Sequence, residues 1–315
     1  MKDEIRKVFY RRAFITVIGM LIPLMHAGAE DAPAGLPEGA ELIAEKIKFP
    51  EGPMIDRAGT LFFSGVRENR IYRLIGGKPE ILYDNNDDGA NGLALHKDGT
   101  IYAAAGKSKA ILKITPDGKA TKWVTEVAGK LLNSPNDLVF DASGNLFFTN
   151  PGGMTSGPKD PNIKPSVVRV RPDGKADVID EDVDYPNGIG ISPDGKYLYV
   201  NDLLRNSLVY RYELSPEGVV GKKDILIKFG GGMPDGMAVA ASGNLYVALN
   251  LHAKVAVVSP EGKLLKEIQF PKGSGVTNLC FGGGDMRTLY VTLGNSGKVY
   301  ALPADEPGLK LFGNL

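Results

Sequence analysis

Short runs rich in β-branched and aromatic residues, broken by tight polar turns, recur along the chain, and apolar positions show no helical spacing. The runs belong to a repeat. Pro50 opens Pro-Glu-Gly-Pro-Met-Ile-Asp-Arg-Ala-Gly-Thr-Leu-Phe-Phe, which reads as a strand, a turn and a second strand. The unit returns at Asn91, Pro135, Pro186 and Pro234, and in degenerate form at Val276. The turn glycines Gly59, Gly99, Gly144, Gly195 and Gly243 stand 40, 45, 51 and 48 residues apart, the spacing of four-stranded blades. Most units add a further strand before a polar turn, as at 110–115 and 167–171, giving two hairpins per repeat. This pattern predicts an all-β, six-bladed β-propeller over residues 41–315, closed by adding the alternating segment 41–49 to the last blade.

The start of the chain follows another pattern. Lys2, Arg6, Lys7, Arg11 and Arg12 precede the apolar run Ala13 to Met25, and Ala27-Gly28-Ala29 offers a small-residue cleavage site. Residues 1–29 therefore read as a signal peptide, 30–40 as a flexible lead-in, and the protein as periplasmic or secreted without stable membrane insertion. The apolar run is too short, and too interrupted by Pro23, for a spanning helix. Arg11-Arg12-Ala13-Phe14-Ile15 also resembles a twin-arginine export signal. Lysine plus arginine balance aspartate plus glutamate at 37 each, so no basic field points to nucleic acid. Cys280 is the only cysteine, which excludes an intrachain disulfide and a thiolate metal cluster. Set between Leu279 and Phe281, it reads as a small core hydrophobe.

Eight residues ahead of the turn glycine the repeat carries Glu51, Asn91, Asn136, Asn187 and Asp235, with Thr277 matching in the sixth copy. The innermost strand of each propeller blade lines the central channel, so these positions form one ring. Crowded carboxylates repel each other unless a cation lies between them. Glu51, Asn136, Asn187 and Asp235 thus form a candidate central-channel site for one divalent cation with hard oxygen ligands, best suited to calcium. Magnesium, manganese and zinc stay open as alternatives. The bland reading is that Asn-Gly and Pro-Asp-Gly are ordinary turn sequences, which is how Asp117, Asp173 and Asp194 are read. A glutamate at Glu51 does not suit that role. Asn91 and Thr277 are read as channel-lining groups.

At these residues the sequence resembles the senescence marker protein, gluconolactonase and luciferin-regenerating enzyme family. The likeness rests on Glu51-Gly52-Pro53, Pro135-Asn136-Asp137, Pro186-Asn187-Gly188, Pro234-Asp235-Gly236-Met237 and Thr277-Asn278-Leu279-Cys280. It implies calcium-dependent lactone hydrolysis, with Glu51, Asn187 and Asp235 on the ion and Asn136 joining them or touching substrate. The arginine that the animal sugar-lactonase branch places two residues before the Asn136 position is Ser134 here, and the histidine of the diisopropylfluorophosphatase group has no counterpart after His252. The expected activity is metal-dependent opening of a small-molecule lactone or related ester, with Asp235 as catalytic base and Asn136 and Asn91 binding substrate. A non-catalytic periplasmic binding or scaffold propeller with a structural metal, or an organophosphate or aryl-ester hydrolase, are the alternatives. Specificity is assigned to loops such as 152–165. His252 is read as a loop or hairpin residue.

Overall fold

The computed structural model describes residues 35–85, 87–152 and 164–315, and residues 35–315 form one compact unit. Residues 1–29, expected to be a signal peptide, and residues 30–34 of the lead-in lie outside the described residues, as does most of the 152–165 loop.

The described residues form six four-stranded antiparallel sheets in chain order. Blade one is Pro50–Ile55, Leu61–Gly65, Arg70–Ile75 and Lys78–Asp84; blade two is Ala90–Leu95, Ile101–Ala105, Ala110–Ile114 and Ala120–Val124. Blade three is Leu138–Phe140, Leu146–Asn150, Ser166–Val170 and Ala176–Asp180; blade four is Pro186–Ile191, Tyr197–Asp202, Leu208–Leu214 and Val220–Lys228. Blade five is Pro234–Val239, Leu245–Leu249, Lys254–Val258 and Leu264–Gln269. Blade six combines Val276–Gly282, Thr288–Leu293 and Lys298–Pro303 with Glu41–Ala44 from the other end of the sequence.

The blades bury both faces of their middle strands. Six apolar clusters fill the six junctions between neighbouring blades, for example Met54, Phe62 and Ile71 against Leu93, Ala103 and Leu112 between blades one and two. Outer strands such as Lys78–Asp84 and Leu264–Gln269 are largely exposed, which explains why their sequences lose the apolar character of the strands inside them. The predicted turn glycines take left-handed φ from 69 to 94°, a conformation that costs glycine nothing.

Glu41–Ala44 pairs with the last strand, Glu41 opposite Ala301 and Ala44 opposite Val299, so the ring closes as the alternating segment suggested. The closing strand is shorter than 41–49. Lys46 and Phe49 adopt φ of 63° and 65°, which a strand cannot accommodate.

The C-terminal segment crosses one end of the channel. Leu309 N–H donates to Val239 O at 3.0 Å, Asn314 Nδ2 to Ile55 O at 3.1 Å, and Arg57 to the carbonyls of Gly313 and Leu315 at 2.9 and 2.8 Å. Phe312 is buried in the cluster between blades two and three. Together with Leu309 and Leu311 it closes a small apolar void of about 100 Å³ at that end.

Candidate functional site

The channel is shaped by the same irregularity in one blade after another. Register shifts interrupt the innermost strands between Glu51 and Met54, Ala90 and Leu93, Pro186 and Ile189, Pro234 and Met237, and Val276 and Asn278. Bulges of this kind re-aim side chains next to functional sites. Hydrogen bonds between blades then hold the strands in place: Ser64 Oγ donates to Asn91 O (2.8 Å), Thr149 Oγ1 to Asn187 O (2.7 Å), Asn201 Nδ2 to Asp235 O (2.6 Å) and Thr277 Oγ1 to Pro50 O (2.8 Å). Gly92 N–H donates to Asn136 O at 2.8 Å. The backbone carrying each ring residue is therefore pinned by the neighbouring blade.

Glu51, Asn91, Asn136, Asn187 and Asp235 all line one cavity of about 380 Å³ at the channel end opposite the C-terminal segment, large enough for a sugar-sized ligand. Glu51, Asn187 and Asp235 are buried, whereas Asn91 and Asn136 are half-buried. Asn250 Nδ2 donates to Asp235 Oδ2 at 3.0 Å, and Gly52 N–H donates to Glu51 Oε2 at 3.0 Å. Ser134 lines the cavity as well. Its N–H and that of Asn133 both donate to Asn150 Oδ1, at 3.0 and 2.9 Å. Asp202, wholly buried, accepts from the N–H of Tyr185 at 2.9 Å and so fixes another wall residue.

Two residues that the repeat did not single out sit one layer deeper. At the position after the ring, four units carry glycine (Gly52, Gly92, Gly188 and Gly236), whereas the third and sixth carry Asp137 and Asn278. A Cβ on Gly92 would lie 2.3 Å from Asp137 Oδ1 and 2.7 Å from its Cα, and one on Gly236 would lie 2.1 Å from Asn278 Cγ. The axis is thus too crowded for more than two side chains in this layer. Asn278 Nδ2 donates to Asp137 Oδ2 at 3.3 Å, a contact between residues 141 apart in sequence. An aspartate where four of the other units place glycine was the signal available beforehand.

Burial raises the pKa of all three channel carboxylates. For Glu51, well above its usual range, the loss of water comes first, followed by the charges of Asp235 and Asp137. Asp235 is raised by burial and then by Asp137, against hydrogen bonds from Asn250 and Asn187 that hold it down. Burial carries Asp137 to about 7, despite stabilising bonds from the Leu138 and Ile189 N–H groups and Asn278. No cationic side chain stands among the groups acting most strongly on any of them.

Buried like charges with no ion-paired counter-charge among the described residues fit a divalent cation, and two carboxylates with two amides provide hard oxygen donors for one. Among the described residues no three His, Cys, Asp or Glu side chains are arranged to hold a metal. A cation on Glu51 and Asp235 therefore needs amide oxygens, as from Asn136 and Asn187, and water to complete its shell.

Other expectations resolve individually. Thr277 does not face the cavity; it is fully buried and its hydroxyl is engaged with Pro50 O and Thr292. His252 lies in the turn before Lys254–Val258, away from the cavity lining. Asp173 and Asp194 accept from the N–H of Lys175 and Lys196 at 3.0 and 3.1 Å, as turn residues do. Cys280 packs on the cluster between blades six and one, and burial pushes its thiol pKa upward, away from reactivity.

Comparison with known proteins agrees with the propeller fold. The family profile described as SMP-30/Gluconolactonase/LRE-like region matches residues 49–295. A gluconolactonase of Zymomonas mobilis is 32% identical over 271 residues, covering 77% of this chain and 75% of that protein. A gluconolactonase structure from Xanthomonas campestris aligns with a TM-score of 0.75 and 25% identity, over 88% of this chain and 99% of the other. A calcium-binding regucalcin from Agrobacterium tumefaciens shares the fold at a TM-score of 0.73 and 22% identity, over 89% of this chain and 100% of its own.

Proposed function

The chain belongs to the SMP-30/gluconolactonase/LRE-like family, and from that premise we propose that it opens a lactone by adding water, using a calcium-type divalent cation held by Glu51, Asn136, Asn187 and Asp235. The observation that carries this reading is the convergence of Glu51, Asn187 and Asp235 in one cavity, with buried carboxylates that form no ion pair with a cationic side chain among the described residues. When bound, such an ion supplies Lewis acidity toward a carbonyl oxygen.

Asp235 is the base. Asn250 fixes its Oδ2, and Oδ1 takes a proton from the attacking water as the water oxygen bonds to the carbonyl carbon. The ring C–O bond then breaks, and the proton passes from Oδ1 to the departing alkoxide, so the product is the open hydroxy acid. Half-buried Asn136 and Asn91 orient the substrate with their amides. The basic start of the chain and its apolar run support export, placing the reaction in the periplasm or outside the cell.

The test is proton release from a panel of neutral and charged lactones by protein reconstituted with calcium. Asp235→Asn should lower kcat at least about 100-fold, within the range of general-base contributions. Its melting curve should remain cooperative. Near-wild-type turnover in that variant would remove Asp235 from the mechanism; calcium-dependent stabilisation without any turnover would leave only a structural metal.

A further inference from the structure

The charged side chains lining the cavity, among the described residues, are segregated by depth. Glu51 and Asp235 are buried, whereas Arg67 and Lys107 are exposed at the mouth. Both cations sit on the connection between the second and third strands of their blades, blades one and two. The mouth residues contributed by blades three to five, Ser134, Pro151, Tyr185, Leu203 and Met233, carry no charge. Among the described residues, positive charge at the mouth is thus confined to one side.

Both cationic side chains are anchored. The guanidinium carbon of Arg67 lies 4.4 Å from the centroid of Phe49, itself a wall residue, and the backbone N–H of Arg67 donates to Lys48 O at 3.0 Å, which fixes the stretch of chain that carries it. The stem of Lys107 lies over Gly89, where a Cβ would meet its Cβ, Cγ and Cδ at 3.0 to 3.1 Å. Its ammonium donates to Asn69 Oδ1 at 3.3 Å, and Asn69 also lines the cavity. These contacts limit the rotamer freedom that long cationic side chains otherwise lose on binding.

We infer that the substrate is a lactone bearing an anionic oxygen-rich substituent, a carboxylate, phosphate or sulfonate, which Arg67 and Lys107 receive while the ring carbonyl reaches the Glu51–Asp235 floor. This rests on the floor being the reaction centre. A planar guanidinium and an ammonium lining one cavity match an oxyanion through charge-assisted hydrogen bonds, whereas hydroxyl groups alone are met equally well by the amides and hydroxyls elsewhere in the wall. The separation of sign also sets polarity. A ligand with its charge at the end remote from the carbonyl satisfies both layers at once, whereas the reversed pose leaves Arg67 and Lys107 without an anionic partner.

The experiment measures kcat/KM for D-glucono-1,5-lactone and for its 6-phosphate, in calcium and corrected for spontaneous hydrolysis, with wild type and the Arg67→Gln/Lys107→Gln double variant. Wild type should prefer the phosphate by about tenfold or more, and the double variant should lose about tenfold of that ratio, chiefly through KM. Added salt should erode the wild-type preference. Competitive inhibition by methyl phosphate, methanesulfonate and acetate ranks the three oxyanions, and the double variant should weaken whichever binds best. A wild-type ratio near one, or a double variant that keeps the ratio, overturns the inference while the neutral lactone still reports a working lactonase. Hydrolysis of neither lactone above the spontaneous rate overturns the lactonase reading and this inference with it.

Discussion

Freed of divalent ions, the protein should lose stability as the pH rises from about 4 to about 7, and calcium should abolish that loss. Asp137 illustrates the size of the effect. Its proton affinity rises from the usual aspartate value of 3.8 to about 7 in the folded chain, with burial the main cause. Below the usual value the carboxyl is protonated whether the chain is folded or unfolded, and the folded state keeps its full stability. As the pH climbs past that point the unfolded chain ionises first, and folded stability drains away until the pH passes about 7. About three tenfold steps at about 1.4 kcal/mol each give about 4 kcal/mol for this buried group alone. Glu51 and Asp235 act in the same direction. At roughly 2 to 4 °C per kcal/mol for a domain of this class, the melting temperature in chelator should fall by roughly 10 °C across the window. A cation binding only the folded state restores stability by mass action and neutralises the cause. Calorimetry across the pH series, with chelator and with calcium, reads both effects, and Asp137→Asn should flatten the chelator series. A flat or rising melting temperature in chelator, unchanged by that variant, would refute the reasoning.

Other consequences follow from the crowding and the seams of the structure. Gly92→Ala places a methyl group within 2.8 Å of Asp137 Cα and Asn136 O, so the backbone must move; a loss of about 3 kcal/mol by chemical denaturation is expected, together with reduced turnover as Asn136 is displaced. Arg57→Ala removes both bonds to the carbonyls of the C-terminal segment and should lower stability by about 1 kcal/mol, since that side chain is largely exposed, with catalysis at the far end of the channel unaffected.

The propeller was legible because its turns are chemically specific: Asp-Gly and Ser-Gly dipeptides mark four of the hairpins and Ala58-Gly59 a fifth, and counting between their glycines reveals the blade. The ring of Glu51, Asn91, Asn136, Asn187 and Asp235 was legible for the same reason, since a fixed offset from a turn fixes direction along a strand. What escaped the reading depends on contacts distant in sequence. Asp137 resembles a turn residue until Gly92, Ile189 and Asn278 close around it. Thr277 matched the ring by position, yet the nearby Pro50 carbonyl draws its hydroxyl away. Alternation over 41–49 predicted a strand longer than the one formed, because pattern alone carries no information on the left-handed backbone at Lys46 and Phe49. The segment that crosses the base follows the last repeat and has no internal copy to compare. Arg67 and Lys107 look like ordinary surface charges until adjacent blades place both on the rim of one cavity.

Joining Glu41–Ala44 to Lys298–Pro303 makes assembly wait for the last strand to be synthesised. During translation five blades can stack in order while the sixth lacks its outermost member, leaving an open crescent with one unfinished edge. The encounter that completes it spans more than 250 residues of chain, and such distant pairings are slow to form. Once made, this junction is also the point at which the circle can be unfastened by separating a single pair of strands, so mechanical pulling on the two ends should breach the molecule there first.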